Sequence, residues 1–220
     1  MELLEGMMTR SSVRGFKATP VPKQTIERIL EAAGRSPSYS NTQPWEVAVV
    51  TGRKRDDLSK ILYDLADADT PSAADLPHPK TWPEALATRA REHGARRFKA
   101  LGIEREDTAQ RKEMRLRNFR FYGAPVALFL FIDKSLSNWS IFDAGAFANA
   151  ITLAAHSFGL GTCLQGSVVE YTEAIRKCLG IPETKLVVLA ISLGYTDLSA
   201  PLNQYHSTRV GLNEFVKWYE

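Results

Sequence analysis

Two cysteines in 220 residues, Cys163 and Cys178, cannot build a disulfide framework, and neither stands in a CxxC pair. Their scarcity excludes a stapled secreted scaffold and suits a reducing compartment, so a cytoplasmic protein is expected. The start, MELLEGMMTRSS, is acidic and lacks the apolar stretch of a secretory signal. The longest mostly apolar stretch, residues 141–161, is broken by Asp143, Asn149 and His156. A membrane span needs about 20 apolar residues without such interruptions, so this stretch reads as a buried helix. Familiar catalytic signatures are missing as well: there is no Walker loop and no GxSxG, and Gly159-Leu160-Gly161 has no third glycine at dinucleotide-binding spacing. The four histidines, 78, 93, 156 and 206, are scattered without metal-site spacing, so no metal is expected. Without repeats, low-complexity tracts or a Gly/Ser linker, residues 1–220 read as one domain.

The composition, 44% hydrophobic and 24% charged, is that of an ordinary globular protein. A chain of this length buries about 70% of its unfolded surface and needs no staple. The net charge of +3 is unevenly spread, since residues 80–120 carry twelve Lys/Arg against six Asp/Glu. Such a segment could meet nucleic acid. Its acids are interleaved, though, and pairs such as Glu113–Arg117 mark a solvated helix face, so no nucleic-acid partner is expected.

Periodicity places the elements. Pro22 opens a helix over 23–33, with Ile26, Ile29, Leu30 and Ala33 on one stripe and Gly34 as its stop. Residues 45–51 (WEVAVVT) form a strand candidate, and 53–67 a helix with Leu58, Ile61, Leu62 and Leu65 in register. A proline-rich loop over 68–83 precedes polar helical stretches reaching about residue 120. The runs 124–132 (APVALFLFI) and 185–193 (KLVVLAISL) suit strands buried on both faces. The helix at about 141–158 is small or apolar nearly all round and must be covered on every side. The tail, 199–220, carries Phe215, Trp218 and Tyr219, rings that hide about 150–250 Å² each when buried. It packs on its own body or clasps a partner.

Four segments carry the chemistry. Arg10-Ser11-Ser12-Val13-Arg14 offers two guanidinium groups and two hydroxyls within five residues, a set suited to phosphate as well as to a surface turn. Ser36 to Trp45 (SPSYSNTQPW) is rich in hydroxyls and amides, whose paired donors and acceptors suit the edge of a flat heterocycle. Gly159 to Ser167 (GLGTCLQGS) permits close backbone approach to a ligand, or a helix cap and turn. Arg209 is isolated in a nearly uncharged stretch.

Together these segments resemble the FMN-dependent nitroreductase superfamily, over nearly the whole chain. The most specific piece is P-S-x-x-N-x-Q-P-W, present here as Pro37, Ser38, Asn41, Gln43, Pro44 and Trp45. The resemblance implies an α+β fold, a mixed sheet flanked by helices, in an intertwined homodimer with two FMN sites at the interface. It assigns Arg10, Ser11, Ser12 and Arg14 to the phosphate and ribityl chain, with Arg209 closing on the phosphate. Pro37, Ser38, Asn41 and Gln43 would lie beside the flavin, commonly that of the partner subunit. A backbone N–H around Leu164, Gln165 and Gly166 would approach flavin N5. The implied activity is NAD(P)H-driven, ping-pong reduction of nitroaromatic or quinone-like acceptors, with NADH or NADPH as donor and no side chain named as catalytic. Other reductive reactions on the same scaffold are the near alternatives: enone reduction, dehalogenation, flavin fragmentation. A nucleic-acid-binding protein using 80–120 is the alternative from another class. The segment 67–120 is expected to cover the substrate face, with Trp82, Phe119, Phe121 and Tyr122 against a small planar acceptor, and 199–220 is expected to act as a partner-embracing arm.

Overall fold

The alternation in the run 124–132 sets the layers of the molecule, because odd and even residues of a strand face opposite ways. The computed structural model describes residues 2–220. In chain order its first elements are α1 (Leu3–Thr9), α2 (Lys23–Ala33), β1 (Glu46–Thr51), α3 (Gly52–Asp67), α4 (Glu84–Ala100) and α5 (Thr108–Leu116). They are followed by β2 (Val126–Asp133), α6 (Asn138–Ser157), β3 (Gly161–Gln165), α7 (Thr172–Leu179), β4 (Lys185–Gly194) and α8 (Pro201–Gln204). The strands form one sheet in the order β1-β2-β4-β3. Every neighbouring pair is antiparallel. The parallel component of the expected mixed sheet is a single isolated bridge between Ser12 and Thr162.

Val126, Leu128 and Leu130 pack with Ile26, Ile29 and Ile151 under α2 and α6. Ala127 and Phe129 turn the other way, to Leu58, Leu62 and Ile175 of α3 and α7. Helices therefore cover both faces of the central strands. The helix stop at Gly34 holds as read, with its N–H donating to Leu30 O at 2.8 Å.

β3 departs from the sequence reading, which gave that stretch as a glycine-rich turn. Its residues pair with β4 from Gly161 opposite Gly194 to Gln165 opposite Ala190. Gly161 is required by close approach: a Cβ there would fall 2.6 Å from Val13 Cγ2 and Thr196 Oγ1. A short edge strand with two polar residues and a glycine carries little β-branched signal, which is why the pattern hid it.

The segment 67–120 divides in two. α5 is tied to the body through Lys112–Asp67 at 2.7 Å and Arg115–Asp69 at 2.6 Å, with Leu116 buried. α4 buries none of its residues. It is held by side-chain contacts to the tail, Arg89 with Glu214 at 2.7 Å and His93 Nδ1 with the Tyr205 hydroxyl at 3.1 Å.

α6 is not covered on every side within one chain. Asp143, Ala144, Phe147, Ala148 and Ile151 face inward, while Trp139, Phe142, Gly145 and Asn149 share an open side. The tail is open too, with Trp218 and Tyr219 exposed at 80% and 88%. Of the two possibilities left by the sequence, packing these rings on their own body is not the one observed. No helix of the described residues is long and apolar enough to cross a membrane.

Candidate active site

The arginine-serine segment leaves α1 and runs beside β3, where the Val13 N–H donates to Thr162 O at 2.8 Å. Asn203 of α8 locks it from the other side. Its Oδ1 accepts from the Arg14 N–H at 2.7 Å and its Nδ2 donates to Gly15 O at 2.8 Å. Gly15 has no alternative here, since any Cβ would collide with Ala200.

This scaffold brings the distant Arg209 to the N-terminal segment. Ser11, Ser12, Arg14 and Arg209 line one cleft of about 560 Å³, with His93 and Arg96 of α4 on its wall. Arg10 lines the adjoining cleft beside Gly161 and Thr162. Burial lowers the pKa of Arg10, and the nearby Arg209 lowers it further. Arg97 is likewise lowered by burial and then by Arg14. His93 sits below its ordinary range, first through burial and then through Arg97, Arg14, Arg96 and Arg209.

Cations are crowded here, and the cleft's two carboxylates, Glu214 and Glu92, are taken by Arg89 and Arg96. Among the described residues, none of Arg10, Arg14, Arg97 and Arg209 forms a salt bridge. Arg97 Nε is buried with no hydrogen-bond partner. Arg209 donates only to Ser207 and to Thr208 O. Unpaired guanidinium groups with serine hydroxyls between them fit a phosphate monoester, because a dianion would satisfy several forks at once. The sequence reading missed Arg97, His93 and Tyr205. Residues 89, 93 and 97 do recur every four positions on one face of α4, but any solvated helix face shows the same spacing.

The amide-rich loop lies elsewhere on the chain. Its Tyr39 N–H donates to the buried Asp143 carboxylate of α6 at 3.1 Å, and Trp45 stacks on Phe147 at 4.6 Å. Within the loop Ser38 Oγ accepts from the Gln43 N–H at 2.9 Å, and Gln43 Nε2 donates to Asn41 O at 3.0 Å. Ser40, Asn41 and Gln43 all hold left-handed backbone, at φ 51°, 56° and 47°. Strain of this kind persists only where the surroundings enforce it. Pro37, Asn41 and Gln43 are exposed, and this loop does not line the arginine cleft of its own chain.

At the end of β3, Leu164 is exposed and Gly166 half-buried. The Gln165 side chain is spent inside: its Nε2 donates to Asn118 O at 2.9 Å and its Oε1 accepts from Ser192. Only the backbone of Gln165 is left to serve a ligand.

The aromatic expectations need correction. Phe119 and Phe121 are completely buried. Phe119 packs on Tyr171 and Phe121 meets Phe129 edge-on, at 5.6 and 6.1 Å between ring centroids. They are core residues and have no face to offer an acceptor. The cause is local: Phe121 and Tyr122 adopt φ of 52° and 54°, which turns the segment 117–123 inward. Tyr122 does approach the arginines, with burial raising its phenol pKa and Arg14 opposing the rise, but its hydroxyl donates to Asn118 Oδ1 at 2.7 Å. Trp82 remains half exposed just before α4.

The nitroreductase family model matches residues 7–195 of this chain. The chain belongs to the nitroreductase family. Within the family it is 35% identical over 211 residues to 4-nitrobenzoate reductase of Nocardioides sp. (strain LMS-CY), covering 94% of this chain and 85% of that protein. The FMN-dependent nitroreductase NfnB from Mycobacterium smegmatis, solved in complex with NADPH, superposes with a TM-score of 0.93 at 32% identity over the full length of both chains. NfnB from Sphigopyxis sp. strain HMH, described as FMN- and NADPH-dependent, gives 0.95 at 29% identity, again over both full chains.

Proposed function

We propose that this protein is an FMN-dependent oxidoreductase that takes electrons from NAD(P)H and reduces nitroaromatic or quinone-like acceptors. The observation that carries the reading is the cleft where Arg14 and Arg209, neither in an ion pair, meet Ser11 and Ser12, with Arg10 in the adjoining cleft, on a chain similar along its length to FMN-dependent nitroreductases. When bound, FMN supplies a centre that accepts and gives hydride, and the protein positions it and tunes its surroundings.

The chain's own residues do the rest. Arg10, Arg14, Arg209 and the two serines would hold the phosphate and ribityl chain. The backbone of Leu164, Gln165 and Gly166 would line the reactive edge. Pro37, Ser38, Asn41 and Gln43 would serve the site of a second copy, since their loop lies away from the arginine cleft of its own chain. One site visited by donor and acceptor in turn gives ping-pong kinetics.

The test is a visible spectrum of the purified protein. Flavin bands near roughly 370 and 450 nm, typical of any bound flavin, are expected. They should bleach on anaerobic addition of NADPH and return on addition of a nitroarene. A colourless protein that takes up no FMN would sink the reading.

The homodimer belongs to the same proposal. The open side of α6, the exposed Leu3, Leu4, Met7 and Met8 of α1 and the aromatic tail together exceed the scattered apolar exposure normal for a monomer. Obligate dimers commonly bury more than about 2,000 Å². Sedimentation equilibrium should therefore show a dimer at micromolar concentration. A folded, FMN-loaded monomer there would refute it.

A further inference from the structure

Reducing a nitro group to a nitroso group takes two electrons and two protons, breaks one N–O bond and releases that oxygen as water. The dinucleotide brings both electrons and one hydrogen nucleus as hydride. The balance is R–NO2 + NAD(P)H + H+ → R–NO + NAD(P)+ + H2O, so one proton must come from solvent. The arginine cleft, however crowded with charge, offers no good donor at neutral pH: guanidinium groups do not release protons there, and burial and the surrounding arginines push His93 towards its neutral form.

A donor stands at the other end of β3. The loop 68–83, expected to be a mere connection, is tied down at three points. The Tyr171 hydroxyl donates to Thr70 O at 3.3 Å, and the Ala73 N–H donates to Glu170 O at 2.8 Å. Asp75 is the third tie: it accepts from the Val187 N–H at 2.7 Å and pairs with Arg176, which is 5% exposed. Beyond these ties Pro77 and Pro79 flank His78 and stiffen its backbone. The imidazole is thereby presented over Gly166, so closely that a Cβ on that glycine would lie 3.3 Å from His78 Cε1. His78 Nε2 sits 3.5 Å from Glu170 Oε1. The ring is half exposed and Glu170 largely covered.

We propose that His78 is the proton donor to the acceptor during nitro reduction, positioned by Glu170. This rests on the reading above that the turn 164–166 lines the reactive edge. With Nε2 turned to Glu170, Nδ1 is the nitrogen left to face an acceptor oxygen. The imidazolium gives its proton to that oxygen as the N–O bond breaks, and the ring takes a new proton from water. The charged groups facing Glu170 are His78 from the loop and Arg115 from α5, with Tyr171 and Asp69 beside Arg115. Burial holds the Glu170 carboxyl above its usual range despite His78 and Arg115, so it keeps a proton to higher pH than an exposed glutamate.

The experiment separates the half-reactions by stopped flow on FMN-loaded protein. His78→Gln should slow reoxidation of the reduced enzyme by a nitroarene about 10²- to 10⁴-fold, the usual worth of a general acid. Its reduction by NADPH and its reoxidation by ferricyanide, which takes electrons without protons, should stay at wild-type rates. In the wild type the nitroarene step should show a solvent deuterium isotope effect, and the variant should lack it. Glu170→Gln removes the carboxylate that holds His78 Nε2 in place. The His78 Cε1–H resonance of the flavin-free protein should then move, and the nitroarene step should slow while the two control reactions keep their rates. Unchanged nitroarene rates in His78→Gln, an equal loss in all three reactions, or a His78 resonance indifferent to Glu170→Gln would each overturn the proposal. A wild-type protein that binds no flavin would instead overturn the oxidoreductase reading, and this one with it.

Discussion

Replacing Arg10 and Arg209 together by alanine is expected to raise the FMN dissociation constant about 10²- to 10⁴-fold. Each hydrogen bond to a charged group contributes about 1.5–3 kcal/mol net, which makes either single variant worth about 10- to 150-fold at 1.4 kcal/mol per decade. The two side chains are neighbours, since Arg209 lowers the pKa of Arg10, so the double loss need not equal the sum of the singles. Their mutual repulsion gives the test a second arm. With no counter-ion between them, removing both relieves a like-charge contact, and the thermal midpoint without FMN should not fall. What falls is the stabilisation that added FMN confers, which grows with ligand concentration over the dissociation constant. Riboflavin, lacking the phosphate, should bind wild type and variant equally. Equal losses for riboflavin and FMN, measured by fluorescence titration, would mean that these arginines act through the fold or the arm.

Phe119→Ala is expected to cost about 3–5 kcal/mol of stability, as truncations of fully buried aromatics do. In a protein of this size that is a drop of about 6–20 °C in the midpoint of a thermal melt followed by circular dichroism. The surviving folded protein should bind FMN normally and keep its KM for each of several acceptors. Phe119→Leu, retaining most of the apolar volume, should recover most of the loss. The opposite pattern, an intact melt with an altered acceptor profile, would return Phe119 to the substrate surface and contradict its burial against Tyr171.

The elements legible in the sequence are those whose side chains repeat with one period over many residues. α2 and α3 carry apolar residues at helical spacing, and β2 and β4 carry unbroken apolar runs because helices cover both their faces. β3 and α7 were not legible. β3 has five residues, one of them a glycine needed for packing rather than for turning. α7 has eight, of which Thr172, Ile175 and Arg176 are buried, and a buried arginine disguises an apolar face.

The site divides in the same way. Arg10, Ser11, Ser12 and Arg14 were legible because their donors crowd into five residues, whereas the α4 wall was not. An arginine on a polar helix looks alike in sequence whether it meets water or Arg14, and only folding distinguishes Arg97 from Arg91. The aromatics of 117–123 misled for a related reason. Two left-handed residues, neither of them glycine, reversed the direction in which the rings point.

α4 gives no side chain to the core, so drift along it is nearly free of folding cost, as for surface substitutions in general. Yet Arg89, His93, Arg96 and Arg97 bring that same helix to the mouth of the arginine cleft. Evolution can therefore retune how the phosphate end of the site is held without renegotiating the scaffold. A combinatorial library confined to the exposed positions of residues 84–100 would return mostly folded clones, with the grip on the cofactor as the property that varies among them.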